Sequence, residues 1–141
     1  MKRVATISLA LLALTVFSAA AQEPLEYKVT VLGETARGSA SDHFLTFNGP
    51  FQIPDVTLPA GTYVFTIVAP SVVRVSNLDR SQHYAMFFTM PVAQVEAGDQ
   101  YEVVLTRTAD ESPQRIAKWF LPNQSAGFEF LYPKTERVGE R

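Results

Sequence analysis

From residue 25 onward the chain alternates apolar and polar side chains in short runs, a period of two that is typical of strands with one face buried. In the first run, Leu25, Tyr27, Val29 and Val31 share one face, opposite Glu, Lys and Thr. Further runs occupy residues 43–47, 51–53, 63–68, 72–76, 83–90, 101–106, 116–120 and 128–132. No segment carries the i, i+3, i+4 stripe of an amphipathic helix. The pattern predicts an all-β chain, a single antiparallel β-sandwich or small barrel of about eight short strands.

Turn residues separate the predicted strands. Pro59 and Gly61 occupy positions that suit a tight turn, and Gly33–Asp42 is rich in small and polar residues and predicts a flexible loop. Asp110 to Pro113 could open a short helix over 110–118. The segment 133–141 is polar and predicts a frayed tail.

The first 21 residues have the composition of a secretory signal. Lys2 and Arg3 precede the mostly apolar stretch 4–17, and Ala19 and Ala21 place small residues at positions −3 and −1 of a cleavage site. The apolar stretch is shorter than the roughly 20 residues that span a bilayer, which argues against a membrane anchor. We therefore expect a signal peptide at 1–21 and a single β domain at 22–141. That domain is expected to be secreted or periplasmic, without stable membrane insertion.

The composition excludes several classes of protein. The chain has no cysteine, so disulfides, thiolate metal sites and thiol nucleophiles are ruled out. Its formal charge of −2, without a basic cluster, argues against nucleic-acid binding. With 47% hydrophobic residues the chain is too apolar for a disordered protein, and its stability has to come from packing.

Only two histidines are present, His43 and His83. They are weak candidates for a metal pair with Asp42 or another carboxylate as a third ligand, but their spacing matches no common metal motif, and we expect no metal or cofactor. Ser41, Asp42 and His43 are triad residue types in a row, yet neighbours in a strand point in opposite directions and no nucleophile elbow is present. We expect a non-enzymatic protein with no catalytic residue.

The aromatic residues allow more than one interpretation. Trp119 and Phe120 are candidates for an exposed binding surface, since Trp is frequent in binding hot spots. The interpretation we favour puts Trp119 and Ala117 on the inward face, because Lys118 lies on the other face, and leaves Phe120 partly exposed. The Tyr and Phe alternation could also line a cavity for an apolar ligand, as in a lipocalin-like barrel, but we favour an ordinary aromatic core, because a small sandwich needs those rings to close its interior.

Two segments resemble a group of small exported proteins of soil bacteria. The first is the Leu-Pro-Ala-Gly-Thr-Tyr turn at 58–63, followed by the strand that ends at Asn77. The second is the series Trp119, Pro122, Gly127, Pro133 and Lys134 near the C-terminus. The resemblance covers roughly residues 44–137 and implies export and β architecture; it supplies no activity and no catalytic residue.

Together these features predict an exported, non-enzymatic β-domain protein that acts as a binding module or as a structural component of the envelope. The alternative is a small β-barrel carrier of an apolar ligand. The partner would be a protein, a glycan or a small apolar ligand, and the sequence does not choose among them.

We expect the exported protein to begin at Gln22. The Ala19–Ala21 pattern fits cleavage after Ala21, and the intact mass of the protein recovered from the exported fraction measures the cleavage position. A soluble exported protein that retains residues 1–21 would contradict the signal-peptide assignment.

Overall fold

A computed structural model describes residues 25–107 and 113–133 of the chain. The strands are β1 (Leu25–Thr35), β2 (Asp42–Phe47), β3 (Phe51–Ile53), β4 (Val56–Leu58), β5 (Gly61–Ala69), β6 (Val72–Ser76), β7 (His83–Ala93), β8 (Tyr101–Arg107), β9 (Gln114–Phe120) and β10 (Ala126–Phe130). Within these ranges the chain forms no helix, and residues 114–118, where a helix was considered, belong to β9. The predicted signal peptide and residues 134–141 of the predicted tail lie outside the described part.

Eight of the strands close into an antiparallel barrel in the order β10-β7-β6-β5-β2-β1-β8-β9. The pairing of β9 with β10, from Gly127 opposite Phe120 to Glu129 opposite Lys118, closes the circle. The β3–β4 hairpin lies outside this circle and joins β9 through a short parallel pairing. The all-β prediction is confirmed, and of its two forms the chain adopts the barrel.

The first strand is longer than predicted because it bridges two neighbours. Its residues 25–31 pair with β8, and its residues 32–35 pair with β2. The loop predicted from Gly33 to Asp42 is therefore limited to residues 36–41. Gly33 belongs to the strand and pairs with Leu45. A glycine is needed here because the ring of Tyr101 packs directly against its backbone, where a Cβ atom would collide with the ring.

Aromatic side chains fill the barrel interior. Trp119 is fully buried and contacts Phe65 edge-on, with ring centroids 5.5 Å apart, and stacks on Phe128 at 5.3 Å. Phe47 stacks on Phe51 at 3.9 Å. The prediction that Trp119 is a packing residue is confirmed, and offset and edge-on contacts of this kind add to the stabilisation from buried area.

A bulge in β9 changes which of its residues face inward. Leu105 pairs with Ile116 and Val104 with Lys118, so Ala117 is the extra residue. Ile116 and Trp119 consequently both belong to the core, although strict alternation separates them.

The expectation that Phe120 is partly exposed is wrong. Its side chain is 2% exposed, because Lys28 lies over its ring and Gly127 leaves room for it.

We expect Phe65→Ala to reduce the free energy of unfolding by about 3–5 kcal/mol, because Phe65 is fully buried against Phe47 and Trp119. Phe88→Ala is the matched control: Phe88 is 70% exposed, and its truncation should change stability by less than about 0.5 kcal/mol. Chemical denaturation of the two variants, at a protein concentration low enough to keep the chain monomeric, measures both values. Similar losses for the two phenylalanines would contradict the inward and outward assignments.

Candidate binding surface

His43 lies inside the barrel as part of a small polar group. It is 2% exposed, and its Nδ1 atom is 2.8 Å from the hydroxyl of Tyr101. The same hydroxyl is within hydrogen-bond distance of Thr35 Oγ1. The group joins β1, β2 and β8 through side-chain hydrogen bonds, so its evident role is to hold these strands together.

Two nitrogen atoms in this region are buried without a hydrogen-bond partner, His43 Nε2 and Trp119 Nε1. The two rings meet edge-on at 5.4 Å. Burial lowers the pKa of His43 below its ordinary value, although the backbone carbonyl of Ala40 and the charge of Asp42 act in the opposite direction. The imidazole is therefore neutral at pH 7, shielded from solvent and poorly placed for proton exchange with a substrate.

The structure separates the two histidines that were considered for a metal pair. His83 is exposed, at the start of β7, and its Nδ1 atom is 2.7 Å from Ser76 Oγ. Strands β5 and β6 lie between it and β2, which carries His43. Asp42 lies on the outer side, where it accepts hydrogen bonds from Thr66 and Arg80. In the described ranges no three His, Asp or Glu side chains are grouped as metal ligands.

Trp119 and Phe120, the candidates for a binding surface, are both buried, at 0% and 2% exposure. Trp119 packs in the core, and Phe120 is covered on the outer side of β9 by Lys28. Neither ring is accessible to a partner, so a binding surface has to be sought elsewhere.

A groove opens where β1 and β2 diverge. On this side, residues 25–31 of β1 have no strand partner among the described residues. The groove has a volume of about 290 Å³, and its apolar lining includes Val29, Phe47, Phe51 and Leu105, with Gln114 at one side. This volume is at the lower limit of the range for small-molecule sites, roughly 300–1,000 Å³.

A row of large apolar side chains points outward from β7. Met86, Phe88 and Met90 are 62%, 70% and 52% exposed. Phe88 is flanked by Val72, its partner on β6, and by Leu131, whose backbone N–H donates to the Phe88 carbonyl. We call these five residues the β7 face. Contiguous apolar side chains of this size are unusual on a soluble monomer and typically mark an interaction site.

Two opposite charges lie at diagonal corners of the β7 face. Arg74 pairs with Met86 from β6, and Glu129 pairs with Met90 from β10, so both point to the same side as the methionines. We call them the corner charges. Among the described residues neither takes part in an ion pair, and the Nε atom of Arg74 is buried without an acceptor.

Sequence reasoning did not identify the β7 face because both sides of this strand are apolar. Strict alternation puts Tyr84 with the methionines, but a bulge opposite Val75 and Ser76 places Tyr84 against Tyr63, at 5.7 Å, on the inner side. The sequence feature that could have indicated this surface is the presence of apolar residues on both faces of β7. Every strand of a small barrel has one outward face, so a strand with aromatic residues on both faces must expose some of them unless another element covers it.

Burial of the neutral His43 makes stability depend on pH. Its pKa is about 6.5 when unfolded and lower when folded, so the unfolded state binds the proton more readily, and the free energy of unfolding should fall as the pH drops below about 6.5. The slope cannot exceed about 1.4 kcal/mol per pH unit for one proton.

Denaturant titrations between pH 7.5 and 5 should show this slope in the wild type and in His83→Gln but not in His43→Leu. The carboxyl of Asp42 does not interfere, because its pKa lies below 3.8. A slope that persists unchanged in His43→Leu would contradict the assignment.

Comparison with known proteins gives no indication of function, so the function has to be argued from the surface of the barrel. No protein-family profile, curated protein or solved structure matches the chain. In the part of the chain that the structure describes, no helix is long and apolar enough to cross a membrane. Among the described residues, we base the argument for function on the β7 face and on the apolar groove beside β1.

Proposed function

We propose that the protein is an exported, non-enzymatic binding module that engages a partner protein through the β7 face. The observation that carries the proposal is the row of Met86, Phe88 and Met90, each more than half exposed on one strand. Burying a side chain of this size stabilises a complex by about 1.5–3 kcal/mol relative to leaving it in water. The three together supply the apolar centre that a specific protein interface requires.

The backbone beneath the β7 face favours binding at low entropic cost. Strand β7 is paired on both sides, with β6 and with β10, so the face is held on a rigid sheet before any partner arrives. Methionine side chains adapt to irregular apolar surfaces, and an exposed phenylalanine provides a rigid anchor between them. Rigid backbone and adaptable side chains are the combination expected of a docking surface.

The N-terminal segment supports a location outside the cytoplasm. The charged start at Lys2 and Arg3, the short apolar stretch and the alanines up to Ala21 are the three parts of a secretory signal. A secreted or periplasmic domain without cysteines depends on its packed interior for stability, which leaves the outer surface for binding. The resemblance to exported proteins of soil bacteria agrees with this location.

A second candidate function is the carriage of a small apolar ligand in the groove beside β1. Its support is the apolar lining by Val29, Phe47, Phe51 and Leu105, next to a strand edge without a partner in the described part of the chain. The filled interior argues against a ligand enclosed within the barrel. A thermal-shift series with fatty acids of increasing chain length separates this candidate from the first, because a bound ligand stabilises the fold by mass action.

The proposal predicts that a photoreactive group on the β7 face captures one defined partner. With p-benzoylphenylalanine in place of Phe88, irradiation of the producing cells should give a discrete covalent adduct with a protein. Val95 is the matched control position, because it is apolar and fully exposed in the loop after β7, outside the β7 face. Irradiation followed by mass spectrometry identifies each adduct.

Two further results decide the proposal. The adduct should disappear when Met86→Asp and Met90→Asp are combined with the photoreactive residue, with circular dichroism showing that the barrel still folds. The absence of a discrete adduct from position 88, or the same adducts from position 95, would contradict a binding role for the β7 face.

A further inference from the structure

We propose that the partner is a second copy of this chain, with the two β7 faces packed against each other across a twofold axis that passes over Phe88. This inference rests on the proposed function, because it names the partner of the same face. The observation that supports a second copy as the partner is the position of the corner charges. Arg74 and Glu129 lie on opposite sides of Phe88, both along the strand and across the sheet.

The corner charges are arranged so that a second copy complements both at once. Each is displaced from Phe88 by about 7 Å along the strand and about 5 Å across it, in opposite directions. A twofold axis that lies in the plane of contact, perpendicular to the line joining the two charges, exchanges their positions. Each Arg74 then lies over Glu129 of the second copy, which gives two equivalent ion pairs. Interfaces in cyclic dimers are self-complementary in this way.

The same rotation places apolar side chains on apolar side chains. The two β7 strands cross at roughly 70°, close to orthogonal sheet packing. Phe88 meets its own copy at the axis, Met86 falls over Leu131 of the second copy, and Met90 falls over Val72. The charges thus lie outside an apolar centre, as in stable interfaces with a polar rim.

Within the ranges 25–107 and 113–133, the corner charges have no ionic partner. The described residues form two ion pairs, Lys28 with Glu102 and Arg80 with Asp42, and neither involves Arg74 or Glu129. Lys118 is the cross-strand neighbour of Glu129, yet it forms no ion pair with it. Two opposite charges at the border of an apolar face are thus available to a partner, and the partner that matches both is the same face turned by 180°.

Charge reversal tests this arrangement. In sedimentation velocity over a hundredfold concentration range, the wild type should pass from monomer to dimer. Arg74→Glu alone and Glu129→Arg alone should each raise the dissociation constant at least about tenfold, since like charges then face each other at both corners. The double variant should return to within about threefold of the wild type. Arg37→Glu, in the exposed turn after β1, is the matched control and should leave the dimer unchanged.

A second measurement does not depend on the charge variants folding. Because the chain has no cysteine, Phe88→Cys introduces a single thiol at the position of the twofold axis. Packed sheets lie about 10 Å apart, so a short bismaleimide should link two copies through position 88 and not through Val95→Cys.

The outcomes distinguish this inference from the proposed function. A wild type that stays monomeric, while the photoreactive group at position 88 captures a different protein, would overturn the second-copy inference and leave the proposed function standing. A dimer that resists both single charge reversals, or that the double variant fails to restore, would overturn the twofold arrangement. Loss of both the dimer and every discrete adduct at position 88 would overturn the two proposals together.

Discussion

The closure of the barrel at Trp119 is the constraint on which the other features depend. Strand β10 pairs with β7 on one side and β9 on the other, and at this seam Phe128 stacks on the indole ring. Gly127 makes the pairing possible, because a Cβ atom there would collide with Phe120 and with the backbone of Trp119. Once closed, the barrel has a single interior, and aromatic side chains fill it. Buried polar groups such as His43 then serve packing and strand linkage, and the binding that we propose takes place on the outside.

A filled small barrel also determines where the surplus apolar residues lie. The interior accepts one face of each strand, and packing at near-crystalline density leaves no room for the other. Val64, on the outer side of β5, is nevertheless fully buried, whereas Met86, Phe88 and Met90 remain exposed. Exposure of these three side chains is unfavourable in water, and the association that we propose would offset this cost. The corner charges add orientation to an apolar surface that would otherwise accept many partners.

The period-two pattern was sufficient to predict the all-β class, most strand positions and the burial of Trp119. It could not show which face of an apolar strand points inward once a bulge intervenes. The extra residues Ala117 in β9 and Tyr84 in β7 each shift the alternation by one position, which places Ile116 beside Trp119 and leaves the methionines outside. Bulges depend on pairing with a distant strand, so local alternation carries no sign of them. Burial of Phe120 likewise depends on Lys28, a residue far away in the sequence that reaches the ring only in the folded barrel.

The central claim is that the interior is filled and that binding belongs to the β7 face. Met86 and Met90 are the only methionines after Met1, so in a chain that begins at Gln22, as we predict, the two methyl signals in a methionine-labelled NMR spectrum both report on this face. A soluble paramagnetic agent, added to a dilute monomeric sample, should broaden both methyl signals strongly and leave the indole N–H signal of Trp119 sharp. Protected methyl signals together with a broadened indole signal would show that the assignment of inner and outer faces is wrong. The same result would contradict the proposed binding surface.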